Sequence, residues 1–160
     1  MIEPEDATAS GGIQLPPFSF VVQSGQLAVR EALGKFFDQL GPLNLGAEEK
    51  GTVELVLAEA LNNIVEHAYP EPNQSGPICV DCAHESGGLV VDIKDQGRAM
   101  PDGKLPLGQL SSLDVELEDL PEGGFGWFLI QHLAKDVSYV RVGSENHLRM
   151  RLAIGSFRPA

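Results

Sequence analysis

Two stretches of the chain alternate apolar and charged residues over the length of a strand, and this pattern constrains the fold more than any other feature. In HLRMRLAI (147–154) every second residue is apolar, with Arg149 and Arg151 between them. In LVVDIKD (89–95) the same alternation runs from Leu89 onward. Strands of this kind bury one face of a sheet and leave the other in water. The pattern therefore predicts a largely antiparallel sheet with helices packed on one side.

Further strands are predicted by short runs of β-branched and aromatic residues. They are FSFVV (18–22), ICVDCAH (78–84) and VSYVRV (137–142). The second is joined to 89–95 across Ser-Gly-Gly, and the third is joined to the last strand by GSEN. Both connections are short enough for hairpins.

Three helices are predicted from apolar residues spaced three and four apart. The first spans 26–40, with Ser24 as a candidate cap, the second spans 47–68, and the third runs from about 126 to 133. The apolar stripes of the first two are Leu27, Leu33, Phe36, Phe37 and Leu40, and then Val53, Val56, Leu57, Ala60, Leu61, Ile64 and Val65.

Length and charge limit the class of protein. The 160 residues fit one ordinary domain. We predict a flexible tail over 1–17, rich in Pro, Gly, Ser and acids, and a single domain over 18–160. The net charge of −12 opposes direct binding to nucleic acid or to an anionic membrane. The sequence has no apolar run of membrane-spanning length and no start typical of a signal peptide, so we expect a cytoplasmic protein.

Cys79 and Cys82 form a C-x-x-C pair, which can indicate a metal or redox site. Here the pair lies in a predicted strand, where residues three apart point to opposite faces. The thiols would not converge on one ion, so we interpret both as packing residues.

The segment EALNNIVEHAYPE (59–71) places two asparagines, which are poor helix formers, inside a predicted helix. Glu59 and Asn63 are four apart and share one helix face. One interpretation is a solvated polar stripe. The other is a binding site, in which the amide oxygen of Asn63 coordinates Mg²⁺ beside phosphate oxygens while Glu59 handles a proton.

DQGRAMP (95–101) follows directly after a predicted strand. The two-residue period places Asp95 on the core side of the sheet, where a carboxylate needs a partner. Asp95 can accept a hydrogen bond from the amino group of adenine, and Gly97 lets a flat base approach the backbone. The alternative is an ordinary acidic turn, because Asp and Gly are common in turns.

Glycines precede the third helix in GGFGWFLI (123–130), and a long proline-rich and acidic segment (101–123) comes before them. Backbone N–H groups at a helix start can receive phosphates, although glycines before a helix can also simply form a turn. Loops as long as 101–123 are usually functional or disordered.

Taken together, EALNNIVEHAY, DQGRAMP and GGFGWFLI resemble the N, G1 and G2 boxes of the GHKL ATP-binding fold, in the compact version typical of bacterial anti-sigma factor serine/threonine kinases. The resemblance covers roughly residues 18 to 154. It implies an α+β fold, a two-layer α/β sandwich with a mixed, mostly antiparallel sheet and helices on one face. It also implies that residues 18–160 form one ATP-binding kinase domain with a lid over about 102–123.

The resemblance also implies roles for individual residues. Glu59 would be catalytic, activating the acceptor hydroxyl, and Asn63 would hold Mg²⁺. The remaining nucleotide-binding residues would be Asp95, Gly97 and Met100 on the adenine side and Gly124 and Gly126 at the phosphates. His67 matches a family position, but its simplest interpretation is a cap at the helix C-terminus.

The implied function is transfer of the γ-phosphoryl group of ATP to a STAS-type anti-anti-sigma protein, together with binding to a sigma factor and formation of a homodimer. The last strand lacks the Thr or Lys that the family often has there. Two alternatives therefore stay open, a nonenzymatic nucleotide-binding switch and a detached histidine kinase catalytic domain.

Overall fold

The computed structural model describes residues 13–69, 75–100 and 124–158. These ranges contain a five-stranded sheet in the order β1-β2-β3-β5-β4, and every neighbouring pair is antiparallel. The strands are β1 (Phe18–Gln23), β2 (Pro77–Glu85), β3 (Gly88–Asp95), β4 (Lys135–Val142) and β5 (Glu145–Leu152). All five predicted strands are therefore present.

Three α-helices cover one face of this sheet. They are α1 (Ala28–Leu40), α2 (Ala47–Asn63) and α3 (Gly124–Leu133), and a π-helical turn, Ile64–Ala68, extends α2. The predicted α+β sandwich with helices on one face is confirmed, and the sheet is wholly antiparallel in the described ranges.

The core lies between the helices and the alternate residues of the inner strands. On the sheet side it is formed by Ile78, Val80, Cys82, Leu89, Val91, Ile93, Leu148, Met150 and Leu152. Phe36 of α1 is fully buried and packs edge-on against Phe18 at 5.3 Å between ring centroids. The predicted stripe of α2 is buried from Val53 to Ile64, and Val65 is partly buried. Cys82 is in the core and Cys79 is on the outer face, as the two-residue period predicted.

Several predicted boundaries are wrong. Ser24 does not cap the first helix: the residue at the cap position is Leu27, which makes no side-chain cap, and the Ser24 backbone bonds Gly76 and Ser75 beside β2. Leu27 precedes α1 and is 71% exposed, so it lies outside the apolar stripe. The third helix begins at Gly124, before the predicted start, which makes both of its glycines part of the first helical turn.

The buried imidazole of His84, on the core face of β2, binds both ends of the described chain. Its Nδ1 accepts a hydrogen bond from the backbone N–H of Leu15 at 2.9 Å, and its Nε2 lies 2.6 Å from the carbonyl oxygen of Gly155. Since Nδ1 accepts, Nε2 carries the proton and donates to Gly155. Phe157 packs edge-on against the ring.

This contact shows that the predicted flexible tail over 1–17 extends too far toward β1. Leu15 is 6% exposed and belongs to the core, so the packed domain begins before β1. Residues 1–12 lie outside the described residues, as do the predicted lid over 102–123 and the prolines after the second helix. Within the described part of the chain, no helix has both the length and the apolar character needed to cross a membrane.

Candidate functional site

A pocket opens where the end of β3 meets the last turns of α2 and the start of α3. Its walls include Asn63, Asp95, Met100, Trp127 and Asn146. A mainly apolar cleft with a few convergent polar groups is typical of a small-molecule site.

Asn63, the last residue of α2, is 6% exposed and faces this pocket. Its Nδ2 donates to the backbone oxygen of Glu59 at 2.7 Å, which satisfies the amide nitrogen within the helix. The amide oxygen Oδ1 accepts no hydrogen bond from the residues that the structure describes. A buried amide oxygen beside a pocket is a suitable ligand for Mg²⁺.

Glu59 lies one turn before Asn63 and is half-buried, but it does not line the pocket itself. Its carboxylate lies against α3, where a Cβ built on Gly126 would come within 2.5 Å of Oε2. The same Cβ would be 3.3 Å from Asn63 Nδ2. Gly126 therefore lets α3 approach both polar side chains of α2.

The turn after β3 packs on the end of α2. Ala68 closes the π-helical turn, and its carbonyl oxygen accepts from the backbone N–H of Arg98 at 2.9 Å. A Cβ on Gly97 would overlap this carbonyl group. Glycine is therefore required for the turn to lie this close to the helix end, and the turn forms one wall of the pocket.

Asp95 is 4% exposed at the end of β3. Its Oδ1 accepts from the backbone N–H of Gly97 at 2.9 Å and from Asn146 Nδ2 at 2.7 Å. Burial raises the pKa of Asp95, and the donors Asn146 and Gly97 and the positive charge of Arg141 partly oppose that rise. The predicted need for a buried partner is met by Asn146.

Asn146 was missed as a site residue because it lies in GSEN, which we interpreted as a turn. It is the second residue of β5 and pairs directly with Asp95 across the sheet. Its Oδ1 accepts from the Tyr139 hydroxyl at 2.5 Å and from Arg141 Nη1 at 3.0 Å. The Tyr139 oxygen in turn accepts from the backbone N–H of Met100 at 2.9 Å. The β4–β5 hairpin therefore holds the turn that carries Asp95 and Met100.

The structure brings most of the predicted site residues together. Asn63, Asp95 and Met100 line one pocket, Gly97 shapes its wall, and Glu59 and Gly126 adjoin it. Gly124 is the first residue of α3. His67 also lines the pocket, with an exposed side chain 3.9 Å from the Glu66 carboxylate.

Two side-chain oxygens at this site could hold a ligand or a metal ion. Asp95 lines the pocket, and its Oδ2 accepts no hydrogen bond from the described residues, so this oxygen is available to a donor on a ligand. Asn63 Oδ1 is available to a metal ion.

Comparison with known proteins gives consistent relatives. Residues 26–152 match the family model described as the histidine kinase-like ATPase domain. The chain is 30% identical over 94 residues to the serine-protein kinase RsbW of Bacillus licheniformis, covering 58% of this chain and 57% of that protein. It is 34% identical over 100 residues to the serine/threonine-protein kinase BtrW of Bordetella bronchiseptica, covering 62% of this chain and 67% of that protein.

A solved structure shares the fold. The RsbU and RsbW domains of Rv1364c from Mycobacterium tuberculosis match 91% of this chain and 35% of that chain, with a TM-score of 0.58 and 15% identity. The matched segment spans little more than half of the Bacillus relative. The family model covers residues 26–152, which is most of the sequence. The chain belongs to the histidine kinase-like ATPase domain family.

Proposed function

We propose that this protein is an ATP-dependent serine/threonine protein kinase that phosphorylates a STAS-type anti-anti-sigma protein and binds a sigma factor in the cytoplasm. The observation that carries the proposal is the convergence of Asn63 and Asp95 on one pocket, with Glu59 one helical turn away. The serine-protein kinase RsbW and the serine/threonine-protein kinase BtrW among the relatives support the choice of reaction. A homodimer is part of the proposal.

Each side chain has a defined task in this proposal. Asp95 Oδ2 accepts a hydrogen bond from the adenine amino group, while Gly97 and Met100 border the base. Asn63 Oδ1 is the protein ligand to Mg²⁺, and the start of α3 from Gly124 to Gly126 offers backbone N–H groups to phosphates. Bound MgATP supplies the transferable phosphoryl group, and its metal offsets the repulsion between triphosphate and an acidic protein.

Glu59 is the candidate base for the acceptor hydroxyl. Its carboxylate is on the same helix as Asn63, so α2 fixes the spacing between metal ligand and base. Phosphoryl transfer depends mainly on positioning and charge balance, which a rigid helix provides.

A second candidate is a nucleotide-binding switch that grips a regulator without phosphorylating it. It is favoured by one observation, because Glu59 lies against α3 and does not line the pocket. In that case nucleotide binding would persist without transfer.

One experiment separates these functions. The purified chain is incubated with γ-labelled ATP, Mg²⁺ and a candidate STAS protein, and the label on the partner is tested for stability in acid. Acid-stable phosphoserine or phosphothreonine supports the proposal. Binding of ATP without transfer supports the switch, and an acid-labile label indicates a histidine acceptor. Either of the last two results would overturn the assignment as a serine/threonine kinase.

A further inference from the structure

The hydrogen-bond network behind Asp95 joins β3 to the β4–β5 hairpin. Asn146 is 7% exposed, and its Nδ2 donates to Asp95 Oδ1 at 2.7 Å and to the backbone oxygen of Arg98 at 2.8 Å. Both donor positions of the amide are therefore used. The bond to Arg98 also ties the turn after β3 to the same side chain.

The orientation of the Asn146 amide is fixed by its neighbours. Its Oδ1 accepts from the hydroxyl of Tyr139 and from Arg141 Nη1. A flipped amide would place its NH₂ group against the Arg141 guanidinium, which can only donate. The network consequently aims two donors at the turn and at Asp95.

This arrangement divides the carboxylate of Asp95 into two differently occupied oxygens. Oδ1 already receives Gly97 N–H and Asn146 Nδ2–H, whereas Oδ2 receives no donor from the described residues. An ionised Oδ2 accepts from an amino group and repels a carbonyl oxygen. The pocket would thus prefer a purine with an amino group at position 6 over one with an oxo group.

We propose that Asn146, supported by Tyr139 and Arg141, is a positioning residue that sets the base preference of the pocket by holding Asp95. The inference rests on the proposed nucleotide site. Asn146 does not touch the base; it acts through Asp95 and through the turn that contains Gly97 and Arg98. Without this donor, the Asp95 carboxyl group keeps only the hydrogen bond from Gly97 N–H, so it is held less firmly and is more easily protonated.

The titratable and charged groups around Asp95 come from several elements. His67 and Tyr69 belong to the end of α2 and the residue after it, Arg98 to the turn, Tyr139 and Arg141 to β4, and His147 to β5. Arg141 and His147 favour the ionised carboxylate. Losing Asn146 removes a further contribution of the same sign, so the pKa of Asp95 rises.

The test compares ADP with inosine diphosphate, which has an oxo group in place of the amino group. Both affinities are measured by calorimetry from about pH 5 to about pH 8, the range in which a carboxyl group with a raised pKa changes its charge. We expect the native chain to prefer ADP by about 10- to 100-fold. Asn146→Leu, which is close in size but has neither a hydrogen-bond donor nor a charge, should bring this ratio close to one. It should also move the acid loss of ADP binding to higher pH.

Two more variants make the test decisive. Tyr139→Phe removes only the hydroxyl that bonds Asn146 and Met100, and it should lower the ADP preference partially while preserving the melting temperature. Arg149→Gln is the matched control: Arg149 lies on the exposed face of β5, the strand that carries Asn146, and the variant should keep the native ratio of ADP to inosine diphosphate affinity.

The outcomes separate this inference from the proposed function. Equal losses for both nucleotides, with an unchanged affinity ratio in Asn146→Leu and Tyr139→Phe, indicate a merely structural role and overturn the inference alone. A native chain that binds neither nucleotide overturns the proposed site and this inference with it.

Discussion

Replacing Asp95 by Asn separates what this residue does for the fold from what it does in the pocket. The amide oxygen of Asn can occupy the place of Oδ1 and keep the bonds from Gly97 N–H and Asn146 Nδ2, since both donors remain in position. The oxygen that faces the pocket becomes an NH₂ group. An acceptor for the adenine amino group is thereby changed to a donor, at almost constant volume.

The two expected effects have opposite signs. A hydrogen bond to a charged group contributes about 1.5 to 3 kcal/mol, so ADP affinity should fall by about 10- to 150-fold. Stability should be maintained or increased at neutral pH, because the buried carboxylate has a raised pKa in the folded protein. The contribution of Asp95 to stability is fully present below the unfolded pKa and is lost as pH rises through the folded pKa. The amide of the variant does not ionise, so the variant does not lose stability in this way as the pH rises.

The assay pairs calorimetric titration with ADP at pH 7.5 (about neutral, where carboxylates are ionised) with urea denaturation across the acid range. The stability advantage of Asp95→Asn should grow as pH rises above about 3.9, the ordinary value for Asp. The reasoning is refuted if the variant binds ADP like the native chain. It is also refuted if the variant is less stable than the native chain at neutral pH and its free energy of unfolding, relative to the native chain, does not rise between acid and neutral pH.

Four further predictions concern the helices and the thiols. Glu59→Gln should lower the rate of phosphotransfer to a STAS partner by about 10²- to 10⁴-fold and leave the ADP affinity unchanged. Glu54→Gln, on the exposed face of α2, is the control, and equal phosphotransfer rates in the two variants would exclude Glu59 as the base. Asn63→Ala should remove the Mg²⁺-dependent part of ATP affinity, measured as the ratio of dissociation constants with and without the metal, and an unchanged ratio would reject the metal role. Gly126→Ala should push the Glu59 carboxylate aside, because the new Cβ would lie 2.5 Å from Glu59 Oε2. Phosphotransfer should then fall by about 10²-fold with little change in melting temperature, and retained phosphotransfer would show that the position of the carboxylate is not critical. Burial raises the pKa of the Cys82 thiol to about 12, so at about pH 8, roughly half a unit below an ordinary thiol pKa, a thiol reagent should label Cys82 only at the rate of unfolding. The half-exposed Cys79 should be labelled sooner, and fast labelling of both thiols at one rate would contradict the burial of Cys82.

The periodic parts of this fold could be predicted from the sequence. The two-residue period identified the strands and correctly placed Asp95 on the core face, and the helical period identified the buried stripe of α2. These features depend on residues close together in the chain. The local signal was weaker at the start of α1, where Leu27 continues the apolar spacing but precedes the helix and stays exposed.

The partners that complete the pocket depend on long-range contacts. Asn146 is separated from Asp95 by 51 positions, and only the register of β3 with β5 brings them together. The same limit applies to Leu15, which bonds His84 across 69 positions and so belongs to the core rather than to a tail. The π-helical turn at Ala68 also has no simple sequence signal, although it provides the carbonyl group that anchors Arg98.

The attachment of Leu15 and Gly155 to opposite nitrogens of one imidazole has a practical consequence for engineering. The entry and exit of the folded unit are one aromatic ring apart, and neither Leu15 nor Gly155 lines the pocket. Proteins with adjacent ends tolerate insertion into a host loop and circular permutation. This domain is therefore suited to insertion into a reporter protein, with the host chain entering before Leu15 and leaving after Phe157.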